Sequence, residues 1–242
     1  MESVYLSPST QEYNVYYDGV GNEEYYMNLI ADDLQADLTS SGVKVFRNSP
    51  KMTASQSASQ SNEKDHSLHL AIHSNAAGSG NAGNVRGVDV YYYATSEKGK
   101  KAAETIAKNF RTIYPDPSLV RTLPNTTFAE LRRTKAPAVL IEVGYHDNAS
   151  DAGWIRSNIG LIAANLSSSV LEFLGKKQNQ TGVVTTAGSR LNIRKGPSTE
   201  KEIIGKIPNG GVMNVISRNG DWLEIEYNGI KGYVYAYYVT VN

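Results

Sequence analysis

The sequence predicts an α/β domain, with helices on both faces of a central, mostly parallel sheet, followed by a small all-β barrel. Two short apolar segments, residues 68–72 and 138–143, lack the alternation of a half-exposed strand and indicate strands buried on both faces. Over residues 1–175, segments with helical spacing of apolar residues alternate with predicted strands, which is typical of an α/β sheet. Beyond residue 182 the helical spacing disappears and turn dipeptides recur.

The length and the composition along the chain predict two domains. A chain of 242 residues can form one large domain, or a medium and a small one. Residues 176–181 are polar without an apolar side chain, as in a linker. After them, Asn-Gly pairs at 209–210, 219–220 and 228–229 separate short apolar segments, as in a small β-barrel. We therefore expect domains at 1–175 and 182–242, joined by the linker 176–181.

Charge and cysteine content exclude several classes of function. Lys plus Arg and Asp plus Glu both total 24, so net charge gives no reason to expect a nucleic-acid or membrane-surface partner. No apolar run approaches the ~20 residues that span a bilayer. The absence of cysteine excludes disulfides, thiol nucleophiles and cysteine zinc sites. His, Asp, Glu and Tyr remain as metal ligands.

Strands and helices are expected in regular alternation within the first domain. The expected strands cover residues 4–6, 43–46, 68–72, 88–93 and 138–144. The expected helices run from the cap Asn22 to about residue 40, over 52–62 as a weak helix, from the cap Ser96 to about residue 114, and over 151–174. Residues 115–125 are expected to form a loop, and residues 128–132 a single turn. His69 is expected in the core and His66 at the surface.

His73 and Glu142 are the strongest candidates for chemistry. His73 ends an apolar strand, and ligands in α/β sheets bind just outside the carboxyl ends of such strands. Glu142 lies inside the apolar segment 139–143, where a carboxylate is costly unless it is paired or bound to a metal. An ion pair with Arg132 or Arg133 would be a structural explanation. A desolvated carboxyl with a raised pKa is suited to general acid–base catalysis, which we favour.

Two adjacent glutamates and one pair of histidines are further candidates for metal binding. Glu23 and Glu24 both flank the apolar stripe of the first helix, so periodicity does not choose between them, and either could simply complement the helix dipole. His69 and His73 are four residues apart. On a strand that spacing puts them ~13 Å apart, too far to share one ion.

Five motifs of the first domain together resemble the zinc-dependent N-acetylmuramoyl-L-alanine amidases of the type 3 family. They are YLSPS at 5–9, Glu24 four residues before Asn28, LAIHSN at 70–75, LRRTKAP at 131–137 and VLIEVGYHDN at 139–148. These enzymes cleave the amide between N-acetylmuramic acid and the L-alanine of the peptidoglycan stem peptide. The second domain resembles bacterial SH3 domains, through LNIRKGPS at 191–198, IGKIPNG at 204–210, WLEI at 222–225 and GYVYAYYV at 232–239. The resemblance therefore implies an SH3-like barrel that targets the cell wall.

The resemblance also implies the site residues. Glu24 and His73 would be zinc ligands and Glu142 the catalytic carboxylate, and the substrate-binding residues would be Asn75, Arg132 and His146. The family normally supplies another histidine from the loop after the first strand, but here Tyr13 stands where we expect it. Two protein ligands bind zinc poorly. The third ligand stays open between Tyr13 and His146.

Two functions follow as expectations. The first is a peptidoglycan hydrolase, an autolysin or endolysin, in which zinc-activated water cleaves the muramoyl amide and the SH3 domain binds the wall. The alternative is a wall-binding protein that has lost its metal together with the missing histidine. In both cases the expected partner is peptidoglycan and the expected state is a monomer. The expected place is outside the cell or in the wall of a Gram-positive bacterium. The start of the sequence shows no signal peptide, which suits a phage-type lysin made in the cytoplasm or a shortened secreted protein.

Overall fold

The computed structural model describes residues 2–78, 80–176 and 180–241. The chain divides into two compact units, 1–178 and 179–242, and each has its own hydrophobic core. Residues 177–179 of the predicted linker lie outside the described residues.

Strands and helices alternate in the first unit, as the sequence predicts. The elements are β1 (Ser3–Pro8), α1 (Glu23–Ser40), β2 (Lys44–Arg47), α2 (Ala54–Ser61), β3 (Leu68–Asn75), β4 (Val88–Tyr93), α3 (Glu97–Phe110), β5 (Val120–Asn125), α4 (Ala129–Arg132), β6 (Ala138–Tyr145), α5 (Ala149–Ser157) and α6 (Ile159–Phe173). The six strands form one sheet in the order β2-β1-β3-β6-β4-β5. Among the described strand pairs of this sheet, only β4 with β6 is antiparallel, which confirms the mostly parallel α/β prediction.

Helices cover the two faces of the sheet unequally. Helices α1, α3 and α6 pack their apolar stripes on one face and form the main core. The other face carries the short helices α2 and α4 over a small cluster that includes Ala71, Leu131 and Leu140. At the carboxyl ends of β3 and β6 this second face stays partly open, because His73 and Glu142 are only half-buried there.

The start of α1 is fixed by the cap that the sequence predicts. The side chain of Asn22 accepts a hydrogen bond of 2.8 Å from the backbone N–H of Tyr25. This bond satisfies one of the N–H groups that a helix start leaves free. Glu23 is consequently the first residue of the helix. Its position on the buried stripe, four residues before Met27, directs its carboxylate inward.

The structure corrects three expectations for this unit. Residues 120–125, expected as a loop, form the edge strand β5; Pro124 is tolerated there because an edge strand needs fewer backbone donors. The expected helix 151–174 is two helices that meet at Asn158, whose φ of −131° is not helical. His66 is buried rather than exposed, since it packs against Tyr5 and Phe46. His69 is fully buried, as predicted.

The second unit is an antiparallel barrel-like sheet. Its strands are β7 (Gln180–Val184), β8 (Leu191–Arg194), β9 (Ile203–Ile207), β10 (Val212–Asn219), β11 (Trp222–Tyr227), β12 (Ile230–Tyr235) and β13 (Val239–Val241). They follow the order β13-β7-β10-β11-β12-β8-β9. The predicted turn between β11 and β12 has positive φ at Asn228 and Gly229, 48° and 79°, as a two-residue hairpin turn of type I′ requires.

A buried carboxylate under the sheet yields a prediction about acid stability. Glu130 accepts a hydrogen bond of 2.7 Å from the Ser7 hydroxyl and lies 3.5 Å from His69 Nε2. Burial alone would raise the pKa of Glu130, but the hydrogen bond and charge of His69 outweigh it and lower that pKa. Ionised Glu130 therefore stabilises the fold above its unfolded-state pKa of about 4.3. This contribution is lost as the pH falls through the lower folded-state pKa.

We expect Glu130→Gln to lower the free energy of unfolding at neutral pH by about 2–4 kcal/mol, because it removes one partner of a buried pair. The same variant should show a weaker dependence of stability on pH between about 5 and 3. Urea unfolding across that range measures both effects. Glu172→Gln, which removes an exposed ion pair with Lys108, is the control and should change stability by less than about 1 kcal/mol. Parallel pH profiles for wild type and Glu130→Gln would contradict the prediction.

Candidate active site

The sheet register brings His73 and Glu142 together. They are direct neighbours across the parallel strands β3 and β6, near the carboxyl end of each. Neighbouring residues in register project on the same face of a sheet, so the imidazole and the carboxylate share the open second face. The structure therefore places the two strongest sequence candidates side by side.

Glu23, not Glu24, contacts His73. Glu23 is 1% exposed, and its Oε1 lies 2.8 Å from His73 Nδ1. The same oxygen accepts a hydrogen bond of 3.3 Å from the backbone N–H of Ser74, and Oε2 accepts one of 2.6 Å from the Asn14 side chain. Glu24 is the next residue of α1, and its side chain is half-buried. Spacings of three and four residues both fit the helix stripe, which is why the sequence could not choose.

Glu23 and His73 each shift the pKa of the other toward its charged form. Burial alone would lower the pKa of His73, but the hydrogen bond that its ring donates to Glu23 and the negative charge of Glu142 raise that pKa to about 9. For Glu23, burial would raise the pKa, but the hydrogen bond and charge of His73 lower it. The His73 side chain nevertheless keeps 15% of its surface exposed, so it is reachable from solvent.

Glu142 has the properties of a general base. Its Oε2 is buried and has no hydrogen-bond partner among the described residues. Burial raises the pKa of the Glu142 carboxyl to about 7; the positive charge of His73 opposes the rise and the negative charges of Glu23 and Asp89 add to it. The structural alternative, an ion pair with Arg132 or Arg133, is not formed in the described part of the chain. Both arginines are exposed at the end of α4.

The other predicted site residues are less close to this centre. Tyr13 is 72% exposed, and its hydroxyl donates to Gln11 Oε1 at 3.0 Å. His146 is buried and stacks on Tyr16, and its Nδ1 is hydrogen-bonded to the backbone carbonyl of Ser74 at 2.8 Å. Asn75 is half-buried at the end of β3, and Arg132 is exposed. Neither candidate for the third zinc ligand thus lies in direct contact with His73 among the described hydrogen bonds.

A cavity of about 600 Å³ opens beside His73. Its walls come from the loop after β1, the segment after β2, and the second face of the sheet. Residues that line it include Ser9, Gln11, Tyr13, Asn48, Thr53, His73 and Glu130. The polar lining and the size suit a hydrated, hydrogen-bonding ligand rather than a small apolar one.

The donors around His73 fit two positions of a zinc site. Tetrahedral zinc with ligand bonds of about 2.0–2.1 Å keeps its ligand atoms roughly 3.3 Å apart. Glu23 Oε1 lies 2.8 Å from His73 Nδ1, and the side-chain amide of Gln11 lies 3.4 Å from it. Within residues 2–78, 80–176 and 180–241, no group of three His, Cys, Asp or Glu side chains is placed to hold an ion. The Gln11 atom at this distance is the amide nitrogen Nε2, which is a hydrogen-bond donor and not a metal ligand.

Polar side chains continue across the second face of the sheet beyond His73 and Glu142. Asp89 of β4 lies directly opposite Glu142 in the antiparallel pair, and Arg121 of β5 lies in register with Asp89. The Arg121 guanidinium donates to both carboxylate oxygens of Asp89, from Nε at 2.7 Å and from Nη2 at 2.9 Å. Sequence analysis missed both residues. The signal for Asp89 was present, since it is a lone carboxylate in an apolar strand like Glu142.

Comparison with known families agrees with this architecture. Residues 12–172 match the sequence model of the N-acetylmuramoyl-L-alanine amidase family, and residues 189–240 match that of the bacterial SH3 domain. The first match spans more than half of the chain. The chain therefore belongs to the N-acetylmuramoyl-L-alanine amidase family, with a bacterial SH3 domain in its C-terminal region.

Particular relatives are similar over parts of this chain. The candidate N-acetylmuramoyl-L-alanine amidase YrvJ of Bacillus subtilis (strain 168) is 28% identical over 147 residues, which is 56% of this chain and 26% of that protein. Bacteriocin BCN5 of Clostridium perfringens is 33% identical over 75 residues, which is 31% of this chain and 8% of that protein. The chain thus matches about a quarter of the length of the first relative and less than a tenth of the second.

Solved structures share the fold of the first unit. The catalytic domain of CwlV, an N-acetylmuramoyl-L-alanine amidase from Bacillus (Paenibacillus) polymyxa var. colistinus, aligns with a TM-score of 0.64 at 21% identity, over 73% of this chain and all of that one. The catalytic domain of the CD27L endolysin targeting Clostridia difficile aligns with a TM-score of 0.58 at 22% identity, over 74% of this chain and all of that one. Among the described residues, no helix is both long and apolar enough to cross a membrane.

Proposed function

We propose that the first unit hydrolyses the amide bond between N-acetylmuramic acid and the L-alanine of the peptidoglycan stem peptide. The observation that carries this proposal is the buried Oε2 of Glu142, which has no hydrogen-bond partner in the described part of the chain and lies beside a histidine that Glu23 contacts. Family membership and the shared fold with amidase catalytic domains support it.

Glu142 acts as both base and acid in this reaction. Its carboxylate takes a proton from water as the water oxygen bonds to the carbonyl carbon of the muramoyl lactyl group. The carbon–nitrogen bond then breaks, and the Glu142 carboxyl returns the proton to the leaving amine of L-alanine. One water is consumed, and a carboxylate and a free amine are formed. A carboxyl with a pKa near 7 can serve in both directions at neutral pH.

Glu23 and His73 are the residues we propose as ligands of a zinc ion. Bound zinc would lower the pKa of water and polarise the scissile carbonyl. The hydrogen bonds that Glu23 accepts from the Ser74 N–H and the Asn14 side chain would hold its carboxylate in place. The carboxylate and the imidazole would thereby be in position before the ion binds.

The test uses purified peptidoglycan as substrate. Digestion should release new free amines on L-alanine and no new reducing sugar ends. The protein should contain close to one zinc per chain after dialysis against metal-free buffer. Release of other stem amines, or of reducing ends only, would show that a different bond is cleaved.

We propose that the second unit, residues 182–242, binds the cell wall. Aromatic side chains support this role: Trp222, Tyr235, Tyr237 and Tyr238 contact one another, and the three tyrosines are exposed. Exposed aromatic rings can stack on sugars or hold a peptide. The division at residues 1–175, 176–181 and 182–242 is part of the same proposal.

A shortened protein that ends at Leu174 should cleave soluble muramoyl peptides at the wild-type rate but bind isolated walls at least about tenfold more weakly, since the second attachment is lost. Co-sedimentation with purified walls measures binding, and amine release measures cleavage. Thermal unfolding of the shortened protein is the control for its folding. Equal sedimentation of the two proteins would remove the targeting role.

A wall-binding protein without activity is the second candidate function. The observation that favours it is Tyr13, which stands where a third ligand is expected but is exposed and bonded to Gln11. Zinc content well below one per chain, together with intact walls after long incubation, would favour this candidate. In either case we propose action at the wall of a Gram-positive bacterium, as a lysin or an autolysin. We further propose a monomer with no nucleic-acid partner.

A further inference from the structure

Four side chains of the second face form one row across the sheet. In order they are His73 of β3, Glu142 of β6, Asp89 of β4 and Arg121 of β5, each in register with the next. The proposed catalytic carboxylate therefore lies in a row in which two acidic side chains stand between two basic ones, and the row continues to the edge strand β5. Neither the proposed cleavage nor the zinc ligands use the outer half of this row.

Arg121 is held rigidly but remains accessible. Asp89, 2% exposed, fixes the guanidinium with two hydrogen bonds, whereas the Arg121 side chain is 50% exposed. An arginine has five N–H donors, and Asp89 takes two of them. The remaining N–H groups of the planar guanidinium are thus presented to solvent in a fixed orientation, which is the arrangement that binds carboxylates well.

The distance between Glu142 and Arg121 matches the distance between the scissile amide and a side group one or two residues further along a peptide substrate. Adjacent strands are about 4.8 Å apart, so the β5 position lies roughly 10 Å from β6 along the row. An extended peptide advances about 3.3–3.6 Å per residue. A side group one or two residues beyond a bond held at Glu142 would therefore reach the guanidinium. Without Arg121, an anionic group at that position would face the acidic side chains of Glu142 and Asp89.

We propose that Arg121 binds a carboxylate of the stem peptide, on the residue that follows the L-alanine at the scissile amide. This inference rests on the proposed amidase function and adds the charge of the preferred substrate. Arg121 is a specificity residue in this scheme: it contacts the substrate away from the reacting atoms. The preferred substrate has a free carboxylate at that position, and a carboxamide there is bound more weakly.

Two synthetic muramoyl tripeptides test the inference, identical except for a free carboxylate or a carboxamide on the second stem residue. Wild type should show a KM about tenfold lower for the carboxylate, as one charge-assisted hydrogen-bonded contact gives. Arg121→Gln should abolish this difference by raising KM for the carboxylate alone, with kcat for both substrates within about twofold of wild type. Arg121→Lys, which keeps the charge but not the fork, should retain part of the preference.

Variants with matched chemistry separate substrate binding from stability. Arg121→Gln leaves Asp89 unpaired, so the double variant Asp89→Asn/Arg121→Gln removes the buried charge as well and should fold normally yet still lack the preference. Arg47→Gln, which removes an arginine–aspartate pair on the opposite edge strand β2, should keep the preference. Equal loss of kcat on both substrates with Arg121→Gln, or an unchanged preference, would overturn the inference.

Failure of the amidase function is a distinguishable result. If wild type cleaves neither tripeptide, the proposed function fails. The inference is then tested by calorimetric binding of the two tripeptides to wild type and to Arg121→Gln. Tighter binding of the carboxylate by wild type alone supports the role of Arg121; equal binding of both tripeptides overturns it.

Discussion

Glu142→Gln is expected to lower the rate of amide cleavage by about 10³-fold, within the range for loss of a general acid–base group. Glutamine has nearly the same shape but cannot take a proton from water or return one to the leaving amine. The substitution also removes a buried carboxyl whose Oε2 has no partner among the described residues, so the fold should be retained or slightly stabilised. Amine release from purified walls measures the rate, and urea unfolding measures stability.

The matched control for this variant is Glu104→Gln, the same chemical change at an exposed position of α3. Its rate should stay within about twofold of wild type, since surface substitutions away from a site rarely matter. Wall binding should be unchanged in both variants. Wild-type cleavage by Glu142→Gln would show that the base is another group and would leave the proposed mechanism without its main residue.

The variants Glu23→Gln and Glu24→Gln are expected to show which of these two adjacent carboxylates holds the zinc ion. Glu23→Gln removes the carboxylate that contacts His73, so zinc content and cleavage should both fall, cleavage by at least about 10²-fold. Glu24→Gln should keep both within about threefold, because its half-buried side chain lies one position away from that contact. Zinc per chain after dialysis and amine release are the two measurements.

Each of these variants is the control for the other, since both make the same change in the first turn of α1. Any effect through the helix dipole would appear in both. If Glu24→Gln loses zinc and Glu23→Gln does not, the ligand is the residue that the family resemblance implies, and α1 must turn relative to its present position. Loss in both would indicate a general weakening of the helix start.

The centre of the site could be predicted from the sequence because its residues interrupt strong patterns. His73 ends one apolar strand and Glu142 interrupts another, and a polar side chain in such a place is costly without a function. Their contact could not be predicted, because it depends on β3 and β6 being neighbours in the sheet although they are far apart along the chain. The choice between Glu23 and Glu24 could not be predicted, because both positions satisfy a 3.6-residue period and only the rotation of α1 decides.

Arg121 could not be predicted for a different reason. Residues 120–125 contain Pro124 and were expected to form a loop, and a loop has no register. Only the pairing of β5 with β4 aligns Arg121 with Asp89, and only the pairing of β4 with β6 aligns Asp89 with Glu142. Local sequence does not encode long-range strand order. The same limit applied to His66, whose burial depends on packing by Tyr5 and Phe46.

The reversed direction of β4 has a consequence for how substrate preference can vary. β4 and β5 run against β6, so Asp89 and Arg121 lie near the beginnings of their strands while Glu142 lies near the end of its own. The segments that enter β4 and β5 therefore border the edge of the sheet that carries the proposed site, and those that leave them lie at the far edge. Homologous chains should accordingly diversify their substrate range by changing the length of the entering segments, whereas insertions in the leaving turns should be silent for catalysis.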